Sequence, residues 1–505
     1  MKLKSILLAG GALFALASSA QGADLPTRKA APVPEKPNCY ATFWTWLDSS
    51  ASDCPLTYWG ITVYGAIDVG GGYSTNKARF NPYNQIAVGE LISKQSHGAG
   101  WQGVPNGLGT SNIGIKWKEK IVEDWYFIGD VNAGFDPYSL QFLNGPRSLV
   151  SQNNLPQFFQ SYNTDSSRTY GPINTRAYAG VQNKTFGTLT YGRQYAFSND
   201  IANSLYDPQG GANAFSLIGN SSTFGGGLGN TELARYNNSI KYLYSDHSVR
   251  VGAMSQVGGW GAGNNAKFAY EVTGGFDWNG FSVDAVYEYA KDAVNLSTFN
   301  GVGLPNQVSP TLLKATISNE NSVQIAGKYK WDRFTLYSGY AYERLSNPSD
   351  LPAGPTIGYF NGGVQALYGA AGVNTQGNAF PLAKVQQVLW TGAKFAVLPN
   401  VDLIGAYYHV WQNNYLGATQ IATDCLPAIA LPAGTPANSG YTPQGTRNAR
   451  CAGHEDAISG SVDWRPYKRV DVYGGVMFSK VNGGMANGFF VNNNTALTGG
   501  VRVSF

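Results

Sequence analysis

The chain has 505 residues, with 63 glycines, 31 tyrosines, four cysteines and only 13% charged residues. A soluble domain carries about 25% charged residues, so this composition argues against an ordinary soluble fold and for strands with lipid on one side and water on the other. Formal net charge is +4, and Lys2 and Lys4 supply two of those charges; the remaining excess of about +2 is too small to attract nucleic acid or to steer acidic partners.

The amino terminus reads as an export signal. Lys2 and Lys4 form a basic start, Ser5 to Ala17 is apolar, and small residues follow from Ser18 to Ala23. That is the pattern of a secretory signal peptide. Ala20 and Gly22 suit a cut at Gly22/Ala23, giving a signal over 1–22; a cut after Ala20 fits the same pattern. The apolar run is shorter than the roughly 20 residues that span a bilayer as a helix. Since no other stretch comes near that length, any insertion has to use strands.

Residues 23–56 precede the first expected strand. Their Pro-rich start should be extended, and Tyr40 to Leu47 is expected to form one or two turns of apolar helix. The cysteines fall into two local pairs, Cys39 with Cys54 and Cys425 with Cys451. In an exported chain two short-loop disulfides are the economical reading, although four cysteines allow three connectivities. No CxxC spacing or adjoining histidine points to zinc, and no cofactor is expected.

From Thr57 onward the chain alternates in polarity over segments of ten to twelve residues. Val323, Ile325, Tyr329 and Trp331 alternate with Gln324, Lys328 and Lys330, and Phe281, Val283, Ala285, Tyr287 and Tyr289 with Ser282, Asp284 and Glu288. A period of two puts these sets on opposite faces of a strand. Sixteen such segments lie near 57–72, 111–120, 123–134, 174–183, 186–195, 235–245, 247–256, 267–278, 280–291, 321–331, 333–344, 386–396, 400–411, 455–464, 469–480 and 494–505. Short connections such as Asn279-Gly280 and Asp332-Arg333 alternate with long ones rich in Gly, Asn, Ser and Pro, which read as loops. The fold expected is all-β: a 16-stranded antiparallel transmembrane barrel over 57–505, with short periplasmic turns and long extracellular loops. Closure leaves no unpaired backbone groups in lipid.

The last segment places Leu497, Gly499, Val501, Val503 and Phe505 on one parity. A final strand ending on Phe505 resembles the signal read by the outer-membrane barrel assembly machinery. Trp125, Tyr126, Trp278, Trp331 and Phe334 lie near strand ends and fit an aromatic girdle at the headgroups. The four histidines, His97, His247, His409 and His454, mark no Ser–His pair at a rim, so no enzyme is expected. Glycine runs such as 225–230 lack the Lys-Ser/Thr of a phosphate-binding loop.

Three stretches resemble Gram-negative general porins. They are ITVYGAIDVG (Ile61 to Gly70), NTRAYAGVQNKTFGTLTYGRQ (Asn174 to Gln194) and ARYNNSIKY (Ala234 to Tyr242). The cysteine-bearing segment after Ala23-Asp24-Leu25-Pro26 resembles the alphaproteobacterial branch. The resemblance implies a trimeric, water-filled channel in the outer membrane, in contact with lipid and lipopolysaccharide, that passes small hydrophilic solutes and ions. It also implies that the third long loop, 196–234, folds into the barrel and brings Asp200, Asp207 and Glu232 toward basic wall residues. The matching wall residues are Arg193 and Arg235, with Arg176 and Lys116 on the polar faces of their strands. Parity favours Arg235, which alternates with Asn237, Ser239 and Lys241. Arg193 shares parity with Leu189 and Tyr191 and reaches the lumen if the strand bulges near Gly192. Asn112 stands where a third ladder arginine is common, and Asp207-Pro208-Gln209-Gly210 replaces the familiar Pro-Glu-Phe-Gly turn. Acids on the loop facing bases on the wall would set a transverse field across a wet passage. The rival readings are a sugar- or nutrient-specific channel of the same fold and a plugged barrel that binds through its loops.

Overall fold

The structure is a computed structural model that describes residues 38–77, 91–92, 96, 98–140, 142, 175–218, 234–246, 248–259, 264, 266–293, 318–347, 349, 382–415, 452–486 and 491–505. The second expected disulfide, Cys425–Cys451, lies outside them.

A short helix α1 (Phe43–Leu47) precedes the strands β1 (Leu56–Tyr58), β2 (Ile61–Ser74), β3 (Gly100–Gly103), β4 (Asn112–Val122), β5 (Trp125–Gly134), β6 (Arg176–Asn183), β7 (Gly187–Tyr195), β8 (Arg235–Ser245) and β9 (Val249–Gln256). They are followed by β10 (Ala266–Trp278), β11 (Phe281–Ala293), β12 (Ser318–Trp331), β13 (Phe334–Ser346), β14 (Lys384–Leu398), β15 (Val401–Gln412), β16 (Gly453–Tyr467), β17 (Val470–Gly483) and β18 (Asn493–Ser504). Each of β4 to β18 pairs antiparallel with the next, and β18 returns to pair with β2 through Leu497↔Tyr73 and Val501↔Val69. The sheet is thus a closed barrel of sixteen long strands, β2 and β4 to β18.

Two details differ from the sequence expectation. The segment expected at 57–72 is two strands, because Trp59 (φ 49°) and Gly60 (φ 73°) turn the chain back between β1 and β2. Within the expected first long loop, β3 pairs with the upper half of β2 while β4 takes the lower half. Helix α1 forms where the apolar run stands. Thr42 caps it by accepting the Thr45 amide, and the Cys39–Cys54 bridge closes the segment with the two Cα atoms 6.2 Å apart. The segment is tied to the β16–β17 turn, where Arg469 donates to the carbonyls of Trp46 at 2.9 Å and Cys54 at 2.6 Å.

All the short connections lie at one end of the barrel. Asn279 (φ 47°) and Gly280 (φ 82°) make the tight, left-handed turn that an Asn-Gly pair favours in a two-residue hairpin. Polarity is inverted relative to a soluble protein. On β12, Val323, Ile325 and Trp331 are exposed on the outside, while Ser322, Gln324 and Ala326 are buried within. Trp278, Trp331 and Phe334 are likewise exposed near the short-turn end, as a girdle requires. No helix among the described residues is long and apolar enough to cross a membrane, so crossing falls to the strands.

The alternation breaks once in a way that matters. Gly192↔Ser239 is followed by Gln194↔Tyr236, so one residue of β7 faces two of β8. Gly192 has φ +136° and Asn238 φ +43°. Such a bulge disturbs the alternation locally, and beside it Arg193 is buried and bonded to Asn237 although Leu189 and Tyr191 are exposed outside. A Cβ at Gly192 would collide with the Ala177 carbonyl and lie 2.8 Å from the Tyr178 Cα. Gly192→Ala is therefore expected to cost about 1–3 kcal/mol, read as a lower temperature for loss of the folded, heat-modifiable band on gels; an unchanged temperature would contradict the bulge.

Candidate pore constriction

The third long connection begins where β7 ends. The Ala196 N–H bonds to the Ala234 carbonyl at 3.0 Å and closes its neck. The chain then turns into the barrel. The amides of Phe197 and Ser198 donate to the carboxylate of Glu271 on β10, the latter at 3.2 Å. A one-turn π-helix, Ser198–Asn203, follows, and Asp200 pairs with Lys241 of β8 at 2.7 Å.

From Leu205 onward the loop runs along the inner wall. The Tyr206 hydroxyl reaches Ser282 at 2.7 Å and also Asp284, which Arg250 holds from the side at 3.0 and 2.9 Å. Trp390 of β14 donates its indole N–H to the Tyr206 carbonyl at 3.0 Å. Tyr408 of β15 donates to Asp207 at 2.6 Å. The Gln209 amide bonds with Ser459 at 3.0 Å and accepts from Ser461 at 2.7 Å, both on β16. Phe215 packs edge-on against Tyr473 of β17 with centroids 6.2 Å apart. Asn213 and Ala214 then meet the carbonyls of Asn106 at 2.8 Å and Gly107 at 2.9 Å. Asp68 of β2 steadies that far end by accepting from Leu108, Gly109 and Tyr473.

The wall is shaped for this strap. Ala269, Ala326, Ala341, Ala406 and Ala457 are lumen-side residues packed in one apolar cluster with Phe197, Ile201, Tyr206, Val388 and Trp390. Small wall side chains leave space that the loop's larger ones fill. At Gly392 a Cβ would lie 2.6 Å from the Pro208 ring, so only glycine lets the loop come this close. The lumen wall is thus apolar where this part of the loop rests on it.

The opposite wall stays uncovered by the described part of the loop. There Tyr64 donates to Asp130 at 2.5 Å, and Arg176 bonds the Tyr64 hydroxyl at 2.9 Å and pairs with Asp130 at 3.4 Å. The Lys116 ammonium stands 5.1 Å from the Tyr64 ring centre.

A family model described as Gram-negative porin matches residues 6–484. The chain belongs to the Gram-negative porin family. Among solved structures, the anion-selective porin from Comamonas acidovorans is 12% identical, with a TM-score of 0.52 over 88% of this chain and 99% of that one. The trimer form of OmpT, an outer membrane protein of Vibrio cholerae, is 12% identical with a TM-score of 0.50, covering 88% and 99%. At that identity both speak to the fold. No curated protein sequence matches. This porin is an outer-membrane channel.

The residues singled out in the porin's sequence separate into groups. Arg176 and Arg235 meet at the ring of Tyr195, with guanidinium carbons 5.1 and 4.8 Å from its centre. Arg193 is buried and donates to Asn237. Lys116 joins the group through Tyr64. The parity argument for Arg235 does not hold across the Asn238 bulge: Tyr236 and Ser239 are both wholly buried, and the Tyr236 hydroxyl reaches Glu288 at 3.0 Å. Asp200 faces a base, but that base is Lys241. Asp207 is a correction: instead of facing the bases it is buried against β15, held by Tyr408 and by the Gly211 amide at 2.7 Å, because its Pro-Gln-Gly-Gly turn curls back on its carboxylate. Glu232 lies outside the described residues. Sequence reasoning missed the loop's anchors Tyr206, Gln209, Glu271, Trp390 and Tyr408, and the wall acid Asp130. Val388 and Trp390 on the polar parity of β14 were the available signal.

Burial pushes the Asp207 carboxyl above the usual carboxylate range, against the lowering pull of its hydrogen bonds from Tyr408, Ser216 and the backbone. A raised folded-state pKa means that docking of the loop gains as pH falls and that this gain is lost as pH rises through the folded value. Loop-derived current noise should therefore shrink on acidification. Asp207→Asn, which keeps the Tyr408 partner and leaves Glu271 and Asp284 untouched, should remove that dependence; an undiminished pH response in the variant would assign it elsewhere.

Proposed function

We propose that this chain is a general diffusion porin, a passive water-filled channel for small hydrophilic solutes and ions that selects by size and charge at loop 3. The observation that carries this reading is the strap of loop 3, anchored on β10, β11, β14, β15, β16 and β17, with a charged wall of Lys116, Asp130 and Arg176 across from it. A loop bonded at so many points narrows a lumen without needing to move, and a transverse pattern of charge orders the water that remains. The constriction set comprises Lys116, Arg176, Arg193, Arg235 and Asp200, with Asp207 serving to hold the loop and Glu232 as a further acid.

The same reading has the chain exported on a signal peptide over 1–22 and assembled as a homotrimer in contact with lipid and lipopolysaccharide, in the manner of the alphaproteobacterial branch. The described part of the N-terminal segment, residues 38–56, acts as a foot on the rim rather than a plug, which the anchoring of α1 to the β16–β17 turn supports. Phe505, whose backbone exchanges hydrogen bonds with Gly65 at 3.0 and 2.9 Å, serves as the assembly signal.

Planar-bilayer recording tests this directly. The purified protein should insert in large steps grouped in threes. Arg176→Gln should shift the zero-current potential in a salt gradient toward cations, since it leaves Asp130 uncompensated beside the passage. A folded, electrically silent protein would refute the open channel, and an unmoved potential would remove Arg176 from the filter.

A further inference from the structure

Beneath loop 3, on the short-turn side of the lumen, lies a cavity of about 320 Å³. Leu205, Asp207, Pro208, Gln209 and Gly210 of the loop form its roof, with the Asp207 carboxyl engaged by Tyr408; the remaining charges belong to the wall. Its charged lining is separated by strand. Lys328 of β12 and Lys394 of β14 stand on one flank, and Asp463 of β16 and Asp471 of β17 on the other. Arg502 of β18 closes the far side, in register with Asp471 and Asp68.

These groups are satisfied to different degrees. Asp402 and Arg465 stand outside the lining and neutralise one another at 2.9 Å, with Lys394 2.6 Å from Asp402 and Asp463 2.5 Å from Arg465. Asp68 is saturated by Tyr473 and two amides. Lys328 and Asp471, by contrast, have no ion-pair partner within 4.0 Å among the described residues; Lys328 bonds the Leu205 carbonyl at 3.4 Å and stands 5.6 Å from the centre of the Tyr206 ring. An available ammonium and an available carboxylate therefore stand on opposite flanks of one wet chamber, with a roof fixed by Tyr408, Trp390 and Ser461.

We propose that this chamber is a second sorting site, distinct from the constriction above it, and that it favours zwitterionic solutes of amino-acid size. The inference rests on the open-channel reading. A solute's carboxylate turns toward Lys328 and Lys394 while its ammonium turns toward Asp471 and Asp463. A neutral solute gains nothing from that field. A simple ion gains on one flank and loses on the other, whereas a dipolar solute gains on both.

Swelling of proteoliposomes in L-serine and in erythritol, a neutral solute of similar size, tests it for the wild type, Lys328→Gln and Asp471→Asn. The wild type should admit serine faster than erythritol. Each variant should lower the serine-to-erythritol ratio by roughly threefold, the scale of one contact between unit charges in a wet, high-dielectric site. The two substitutions are opposite in sign, so a change in plain ion selectivity would move charged solutes in opposite directions, and only a dipolar solute loses from both. A wild-type ratio of one, or a ratio unchanged in either variant, overturns the proposal. Failure of erythritol itself to enter overturns the open channel beneath it, which is a separate and recognisable result.

Discussion

In hydrocarbon, a backbone N–H or C=O without a partner costs several kcal/mol, and strands can cross only if every edge is paired. The closure of β18 onto β2 is the contact on which the rest depends. It requires the first and last strands to meet in register, from Ala496↔Ser74 down to Ser504↔Ala66, and it fixes where the polar faces of all sixteen strands point. Once closed, the barrel has an apolar outside and a polar inside, and a lumen exists for the chain to furnish.

What it installs there is a strap rather than a core. The lumen is wet, so a loop entering it is not driven by burial alone. The chain provides a bed of alanines and one glycine, then fastens the loop with bonds from separate strands: Glu271, Asp284, Trp390, Tyr408, Ser459 and Ser461. Each such bond contributes on the order of 1 kcal/mol net. Spread over five strands they make a shape that loosens only if several give way together. Asp207 illustrates the division of labour, because a carboxylate spent on holding the loop is unavailable to the passage.

The barrel was legible in the sequence because its signal is periodic. Sixteen stretches of alternating polarity separated by Asn-Gly, Asp-Arg and Pro-Asn turns leave little choice of topology, and the structure differs by a few residues at strand ends, by the split of the first segment and by the short strand β3. The site was legible only in part. Period-two arithmetic located Arg176 and Lys116 on the polar face, and the glycine at 192 marked the bulge beside which Arg193 is buried. The same arithmetic misled at Arg235, since Asn238 adopts a left-handed conformation that asparagine tolerates and that no periodicity announces. The direction of Asp207 depends on which strand the loop touches, a long-range fact, although Val388 and Trp390 on a polar parity hinted at an apolar bed.

The seating of loop 3 against β16 is the central claim, and cross-linking tests it most directly. With Gln209→Cys and Ser461→Cys in one chain, a short bifunctional thiol reagent should join the two positions in the folded protein. The single-channel conductance should be the same before and after joining, because the bond only fixes a contact that already exists. If the thiols do not join, or if joining lowers the conductance, the loop rests elsewhere and the constriction described here is wrong.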